Sequence, residues 1–300
     1  MIKPKVSVLI SKVFGLSCLE VLSQAGINIR YVVTIDDRLD TRSAYNEIQA
    51  HCRRQSLNLK VSGSPSDTEG YFNEDPCDIV FVFCWYQIIK SSIIAGAQGG
   101  VFGIHHSLLP SYRGQAPLIW SLLAGDKVIG STLFRIDGGI DTGPIAHQWS
   151  LEVNQKWYLR DIIAALEGQI LLDLGKCAVE LIEGRKSLKP QPTDQASYSS
   201  TRIPEDSRIS WQDPAHQVLR HIRTLNSPYP ESFTFFGEDR LSVGRAEAFP
   251  YRVHGVPGSI FKVDGRSVVC CGDGYGVVIS EVKNTKGDHV KSFPIGTRFK

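Results

Sequence analysis

Residues 101–148 read VFGIHHSLLPSYRGQAPLIWSLLAGDKVIGSTLFRIDGGIDTGPIAHQ, and the order of signals inside them decides the fold. The apolar run 101–104 predicts a buried strand that delivers two histidines, His105 and His106, to its end. Ser107-Leu108-Leu109-Pro110 stops the strand, because proline has no N–H to give a sheet ladder. Residues 115–126 carry apolar side chains at helical spacing and close at Gly125. A second β-rich run follows at 131–136. Asp137-Gly138-Gly139-Ile140-Asp141-Thr142-Gly143 must then be a turn-dense loop carrying acid.

The same alternation extends upstream. Residues 6–10 predict a short buried strand, followed by Ser11-Lys12-Val13-Phe14-Gly15 and an amphipathic helix over 16–24 that Gly26 closes. A strand is expected at 31–35 and a polar helix at 41–56. Residues 77–85, with IVFVF at their centre, give the strongest strand signal. Strand and helix in alternation imply an α/β protein with parallel pairing and right-handed crossovers. Downstream come a strand at 144–153 and a long helix at 156–183, ended by Gly184. The proline- and serine-bearing stretch after Lys189 reads as a link. The expected organisation is a domain at 1–190, a linker at 191–205 and a domain at 206–300. In the last, a helix at 215–225 precedes short β-type runs at 232–236, 241–245, 259–263, 267–271 and 276–282, the pattern of a small barrel or sandwich.

Composition narrows the setting. A net charge of +2 offers little pull towards nucleic acid or an anionic membrane. No basic-then-apolar leader and no run of 18 apolar residues is present, so a soluble, cytoplasmic protein is expected. The seven cysteines are odd in number and scattered. Their only close pair, Cys270-Cys271, is neither C-x-x-C nor a zinc spacing, so reduced thiols and no metal site are expected. Asp36 and Asp37 follow the second strand, where a dinucleotide fold would place a ribose-binding acid. The loop after the first strand, however, has no G-x-G-x-x-G, and a solvated acidic turn is the preferred reading. Ligands of open α/β sheets bind at the carboxyl ends of strands, which gathers Lys12, residues 85–89, His105 and the Asp141 loop.

His105-X-Ser107-Leu108-Leu109-Pro110, Tyr112-Arg113-Gly114, Pro117, Trp120 and Asp141-X-Gly143, with 36 positions from His105 to Asp141, resemble the folate-dependent formyltransferases. Arg202-Ile203-Pro204-Glu205-Asp206, Ile209-Ser210-Trp211, Ile222-Arg223 and Pro228-Tyr229-Pro230 look like the hinge and start of that family's carboxyl-terminal domain. The resemblance implies a Rossmann-like, mostly parallel sheet with a smaller β-rich, OB-like carboxyl-terminal domain. It further implies 10-formyltetrahydrofolate as the formyl donor and an amine as acceptor. His105 and Asp141 would be catalytic, and the folate would be held by Trp85, Tyr86, Gln87, Ile88, Ile89, Ile136, Asp137, Gly139 and Asp141. Ile88, Ile89 and Ile136 serve equally well as core.

The chemistry suits such a pair. Formyl transfer requires attack on a weakly electrophilic amide carbon, a tolerated oxyanion and an exit for the ammonium proton. A carboxylate beside a histidine favours the protonated ring. Whether the imidazole takes the proton or, as imidazolium, steadies the oxyanion is left open, and a satisfied buried histidine beside a turn aspartate is the bland alternative. One departure bears on mechanism: the family has asparagine at the position of Gly103, and glycine has no side chain to polarise a carbonyl. Substrate or water can fill the vacated space. The chain would then use another donor, be slow, or keep folate binding alone. His106 would face the other way in a straight strand. Ser107 reads as a turn-former, since no G-x-S-x-G elbow surrounds it.

The resemblance implies one of three acceptors, initiator methionyl-tRNA, a nucleotide-linked amino sugar or glycinamide ribotide, and chain length and charge choose among them. Residues 205–300 hold 13 Lys and Arg against 11 Asp and Glu, a poor phosphate-binding footprint for transfer RNA. The segment 35–43 is as acidic as it is basic. An amino sugar, nucleotide-linked, is therefore the expected partner, with Lys12, Gly103, Tyr112 and Arg113 as candidate substrate contacts. Arg113 could instead brace its turn. A methionyl-tRNA formyltransferase and a non-catalytic folate- or sugar-binding module are the alternatives. A homodimer is conceivable through the apolar residues 268–271, which serve equally well as core.

Overall fold

The computed structural model describes residues 4–290, 292–294 and 296–300. In chain order it runs β1 (Val6–Ile10), α1 (Lys12–Gln24), β2 (Ile29–Ile35), α2 (Tyr45–Arg54), β3 (Leu59–Ser62), α3 (Pro65–Glu74), β4 (Ile79–Phe83), α4 (Ser91–Gly96) and β5 (Gly100–His105). Then follow β6 (Arg113–Gly114), α5 (Pro117–Ala124), β7 (Val128–Arg135), β8 (Ile145–Glu152), α6 (Leu159–Ile182), β9 (Tyr198–Ser199) and α7 (Ala215–Thr224). The chain ends with β10 (Phe233–Phe236), β11 (Asp239–Ala248), β12 (Ile260–Val263), β13 (Arg266–Cys270) and β14 (Gly276–Lys283). Two compact units result. One takes Met1–Leu118, Val128–Leu151 and Ala165–Ser200, the other Ile119–Lys127, Glu152–Ala164 and Thr201–Lys300.

The first unit is built on a seven-stranded sheet in the order β3-β2-β1-β4-β5-β7-β8. The first five strands run parallel, and β7 is antiparallel to β5. Every residue of β1 and β4 is buried, which is why VSVLI and IVFVF are unbroken apolar runs: strands covered on both faces have no polar side to show. The chain order reverses between β1 and β4, opening a crevice at their carboxyl ends. Ser11 closes its base. Its N–H bonds the Phe83 carbonyl at 3.3 Å, and its hydroxyl bonds the carbonyl of Cys84.

Besides the two-residue strands β6 and β9, three elements were not read from the sequence. β3 is too short and too polar to stand out, and α4 is only six residues. α3 does carry local signals, with Pro65 at its start and a capping box in which Ser64 and Asp67 satisfy each other's backbone N–H groups. The acidic turn is solvated only in part: Asp36 is exposed and paired with Arg38, whereas the Asp37 side chain is turned inward. Asp37 is paired with Lys12, which also holds Asp40 at 2.8 Å, so α2 begins only at Tyr45, after the loop has closed on the lysine. Residues 189–199 pair back into the first unit: Lys189 exchanges two hydrogen bonds of 2.8 Å with Ile145, and β9 lies parallel to β6.

The second unit is a five-stranded antiparallel half-barrel in the order β10-β11-β14-β13-β12. Arg298 bridges Ser259 beside one edge and Phe299 bridges Phe236 on the other, so the chain end lies against both sides of the curved sheet. Val218, Leu219 and Ile222 of α7 pack with Val243, Ile279 and Phe299 in its core, where Trp211 stacks on Phe299 at 5.6 Å. Residues 268–271 are all buried: of the two readings offered for them, core is the one observed.

Candidate active site

His105 is the last residue of β5, and the turn after it folds back over its ring. Its Nε2 lies 2.8 Å from the carbonyl oxygen of Tyr112. A carbonyl only accepts, so this nitrogen carries the proton. The Nδ1 then faces Oδ2 of Asp141 at 3.5 Å. A neutral ring with its proton on Nε2 would turn a lone pair towards that carboxylate, whereas a doubly protonated ring presents a donor to each acceptor.

Asp141 is fixed by two hydrogen bonds. Its Oδ2 accepts the Gly114 N–H at 2.8 Å, and its own carbonyl accepts Gln191 Nε2 at 2.9 Å. Its φ is +52°, a strained value for a residue with a side chain. Asp137 holds the preceding turn, accepting the Gly139 N–H at 3.0 Å and the Thr142 hydroxyl at 2.6 Å. Gly143 is required: a Cβ there would drive into the carbonyl of Arg135. Of the expected folate residues, Asp137 and Gly139 thus shape the loop that carries Asp141.

Arg113 is 2% exposed and directs its guanidinium inward. Its Nε and Nη2 bond Gln191 Oε1 at 3.1 and 2.7 Å, and Nη1 reaches the Tyr198 hydroxyl at 3.2 Å. Between its two readings, the geometry is that of a brace. Gln191 passes the restraint on, donating to the carbonyls of Asp141 and, at 2.7 Å, Gly143. Sequence reasoning missed Gln191 because it lies between two prolines in a stretch read as linker. Nothing local marks it as the partner of residues 50 and 78 positions away.

Lys12 opens α1 with φ +61° and lies 5.4 Å from the Tyr86 ring centroid. Burial works against its charge, but bonds to Asp37 and Asp40 outweigh it and leave the pKa raised. Arg42 and then Lys12 hold Asp40 well below the usual carboxylate range. The lysine's charge is thus already matched by two carboxylates. Beside it, Trp85, Ile89 and Ile136 pack on the core that contains Leu9, Val80 and Val82. Tyr86 is exposed, and Ile88 is 78% exposed, so its role as core is excluded. Gln87 Oε1 accepts from the Ser62 hydroxyl at 3.3 Å.

Gly103 lies on the face of β5 that carries His105, and Ile136 crowds it: a Cβ would stand 3.1 Å from the Ile136 Cδ1. His106 points elsewhere, bonding the Ser131 hydroxyl at 2.9 Å through Nδ1. Burial first, and then His105, pull its pKa down to about 4. Ser107 donates to the Ser111 carbonyl at 2.6 Å, as a turn-former does. Thr132 and Gln148 brace the same turn through the Ser107 and Leu109 carbonyls, at 2.7 and 2.9 Å.

Known proteins share this frame. Residues 5–170 match the family model described as formyl transferase, and residues 202–293 match formyl transferase, C-terminal domain. A methionyl-tRNA formyltransferase of Deinococcus radiodurans is 30% identical, covering 90% of this chain and 86% of that protein. The sugar 3N-formyl transferase WlaRD, solved with dTDP and 5-N-formyl-THF, superposes with a TM-score of 0.69 at 17% identity, over 93% of this chain and 98% of that one. An N-formyltransferase from Helicobacter canadensis, solved with folinic acid and dTDP-3-aminofucose, gives the same TM-score and identity over 93% and 99%. The chain belongs to the formyl transferase family, and it is a formyltransferase.

Proposed function

We propose that this enzyme transfers a formyl group from 10-formyltetrahydrofolate to the amino group of a nucleotide-linked amino sugar. The observation that carries the reading is the His105–Asp141 pair, 3.5 Å apart at the carboxyl end of β5. The folate, when bound, supplies the activated formyl carbon. Trp85, Ile89 and Ile136, with exposed Tyr86 and Ile88 beside them, offer apolar faces to a flat ring.

The 3.5 Å gap between Nδ1 and Asp141 is longer than a hydrogen bond, so Nδ1, when protonated, would be able to donate to a developing oxyanion. Asp141, held by the Gly114 N–H beside the ring, would take up the proton released by the incoming amine. Support for a sugar acceptor comes from the two structural relatives solved with dTDP or a dTDP-sugar, and from the near balance of charge in residues 205–300. A methionyl-tRNA acceptor is the second reading, favoured by the 30% identity to the Deinococcus enzyme. A cytoplasmic setting fits seven free cysteines and the lack, among the described residues, of a helix long and apolar enough to cross a membrane.

The test is release of tetrahydrofolate from 10-formyltetrahydrofolate in the presence of a panel of nucleotide-linked 3- and 4-amino sugars. Turnover with one of them is the expected result. Formylation confined to charged initiator tRNA, and falling steeply with added salt, would move the assignment to the second reading. Folate binding without turnover on any amine would leave a binding module.

A further inference from the structure

His147, Asp173 and Cys177 place one imidazole nitrogen, one carboxylate oxygen and one thiol within 4.8 Å of each other, within the first unit. His147 stands on β8, while Asp173 and Cys177 lie four positions apart on α6 and so share one face of that helix. The His147 Nε2 and Asp173 Oδ2 are 3.4 Å apart, a ligand–ligand separation suited to bonds of about 2.0–2.2 Å from nitrogen and oxygen. Cys177 is buried, with its sulfur turned to the cluster, while His147 and Asp173 are partly open to solvent.

The surroundings look built rather than incidental. Trp149 Nε1 donates to the other carboxylate oxygen, Oδ1 of Asp173, at 2.6 Å, which leaves Oδ2 for the cluster. The same indole sits edge-to-face on the His147 ring at 4.7 Å, fixing its plane. Such outer partners orient metal ligands. Lys186 lies 3.6 Å from the sulfur and is paired with Glu180 at 3.0 Å. With that lysine balanced, a divalent ion, one carboxylate and one thiolate sum to zero.

We propose that His147, Asp173 and Cys177 form a zinc site, with water in the fourth position, that pins β8 to α6. Nitrogen, oxygen and sulfur donors together select a borderline-soft ion over magnesium or calcium. Binding replaces the thiol proton, which leaves to solvent as the sulfur–metal bond forms.

The experiment is a titration of chelator-treated, full-length protein with cobalt(II), followed by displacement with zinc. One equivalent of cobalt is expected to give thiolate charge-transfer absorption with the visible bands of a four-coordinate ion, and zinc to erase them. Zinc should also raise the melting temperature. Cys177→Ser should remove the charge-transfer absorption, and His147→Gln, at a half-exposed position, should weaken binding without unfolding the chain. Trp149→Phe should weaken zinc by about tenfold or more through loss of the Asp173 restraint. Absence of a stoichiometric signal from the parent protein, or a band that survives both Cys177→Ser and His147→Gln, would overturn the site.

Discussion

His105 offers Nδ1 to Asp141 Oδ2 across 3.5 Å while its other ring nitrogen is spent on the Tyr112 carbonyl. The two residues are 36 positions apart in the chain. They meet because β5 ends at one and the loop between β7 and β8 is pulled back to carry the other. With one nitrogen committed to the backbone, the other is the ring edge left for the proposed chemistry.

Removing that edge should cost rate rather than binding. His105→Asn is expected to lower kcat by about 10²–10⁴-fold while folate affinity, read by quenching of intrinsic fluorescence, stays within a few-fold. A variant with near-normal kcat would exclude His105 from the chemistry.

Gln191 joins Arg113 to the Asp141 loop, so its loss should be felt twice. Gln191→Ala leaves a buried guanidinium short of an acceptor and should cost about 1–3 kcal/mol in urea unfolding. Gln191→Glu keeps the acceptor but loses the donor to the Asp141 and Gly143 carbonyls. It should recover only part of the stability, because its second oxygen faces those two carbonyls, and remain slow in turnover. If Gln191→Glu matches the parent kcat, the restraint on Asp141 is not functional.

Gly103 has neighbours that can yield. The nearest atom to a new Cβ is the flexible tip of Ile136, so Gly103→Asn should fold, with a melting temperature within a few degrees of the parent. If the site lacks a carbonyl-polarising donor, the new amide should raise kcat by up to about a hundredfold. Unchanged turnover in a well-folded variant would mean that another group already supplies the donor.

Glu167 on α6 gives a pH signature. Burial raises its pKa to about 7, above the ordinary 4.5 expected for the unfolded chain. Below pH 4.5 the carboxyl is neutral in both states and folding carries no penalty. As pH rises through 7 the folded protein must hold a buried charge, and stability is lost. Glu167→Gln should therefore change little near pH 4 and stabilise by up to about 3 kcal/mol near pH 8. Equal effects at the two pH values, read from urea midpoints, would contradict this.

What the sequence determined by itself is local. Unbroken apolar runs announced β1, β4 and β5, proline stopped the chain after His105, and glycines with Asp137 and Asp141 announced the loop, because periodicity and turn chemistry act over a few residues. The same limits explain β3, too short to show a period. Tertiary structure decided the rest. Lys12 spends its charge on Asp37 and Asp40, Arg113 turns inward to Gln191, and His147 meets Asp173 and Cys177. Each is a pairing of polar groups brought together by crossing elements. Burial makes such groups find partners, but which partner is in reach depends on where the chain returns, and no spacing in the sequence encodes that.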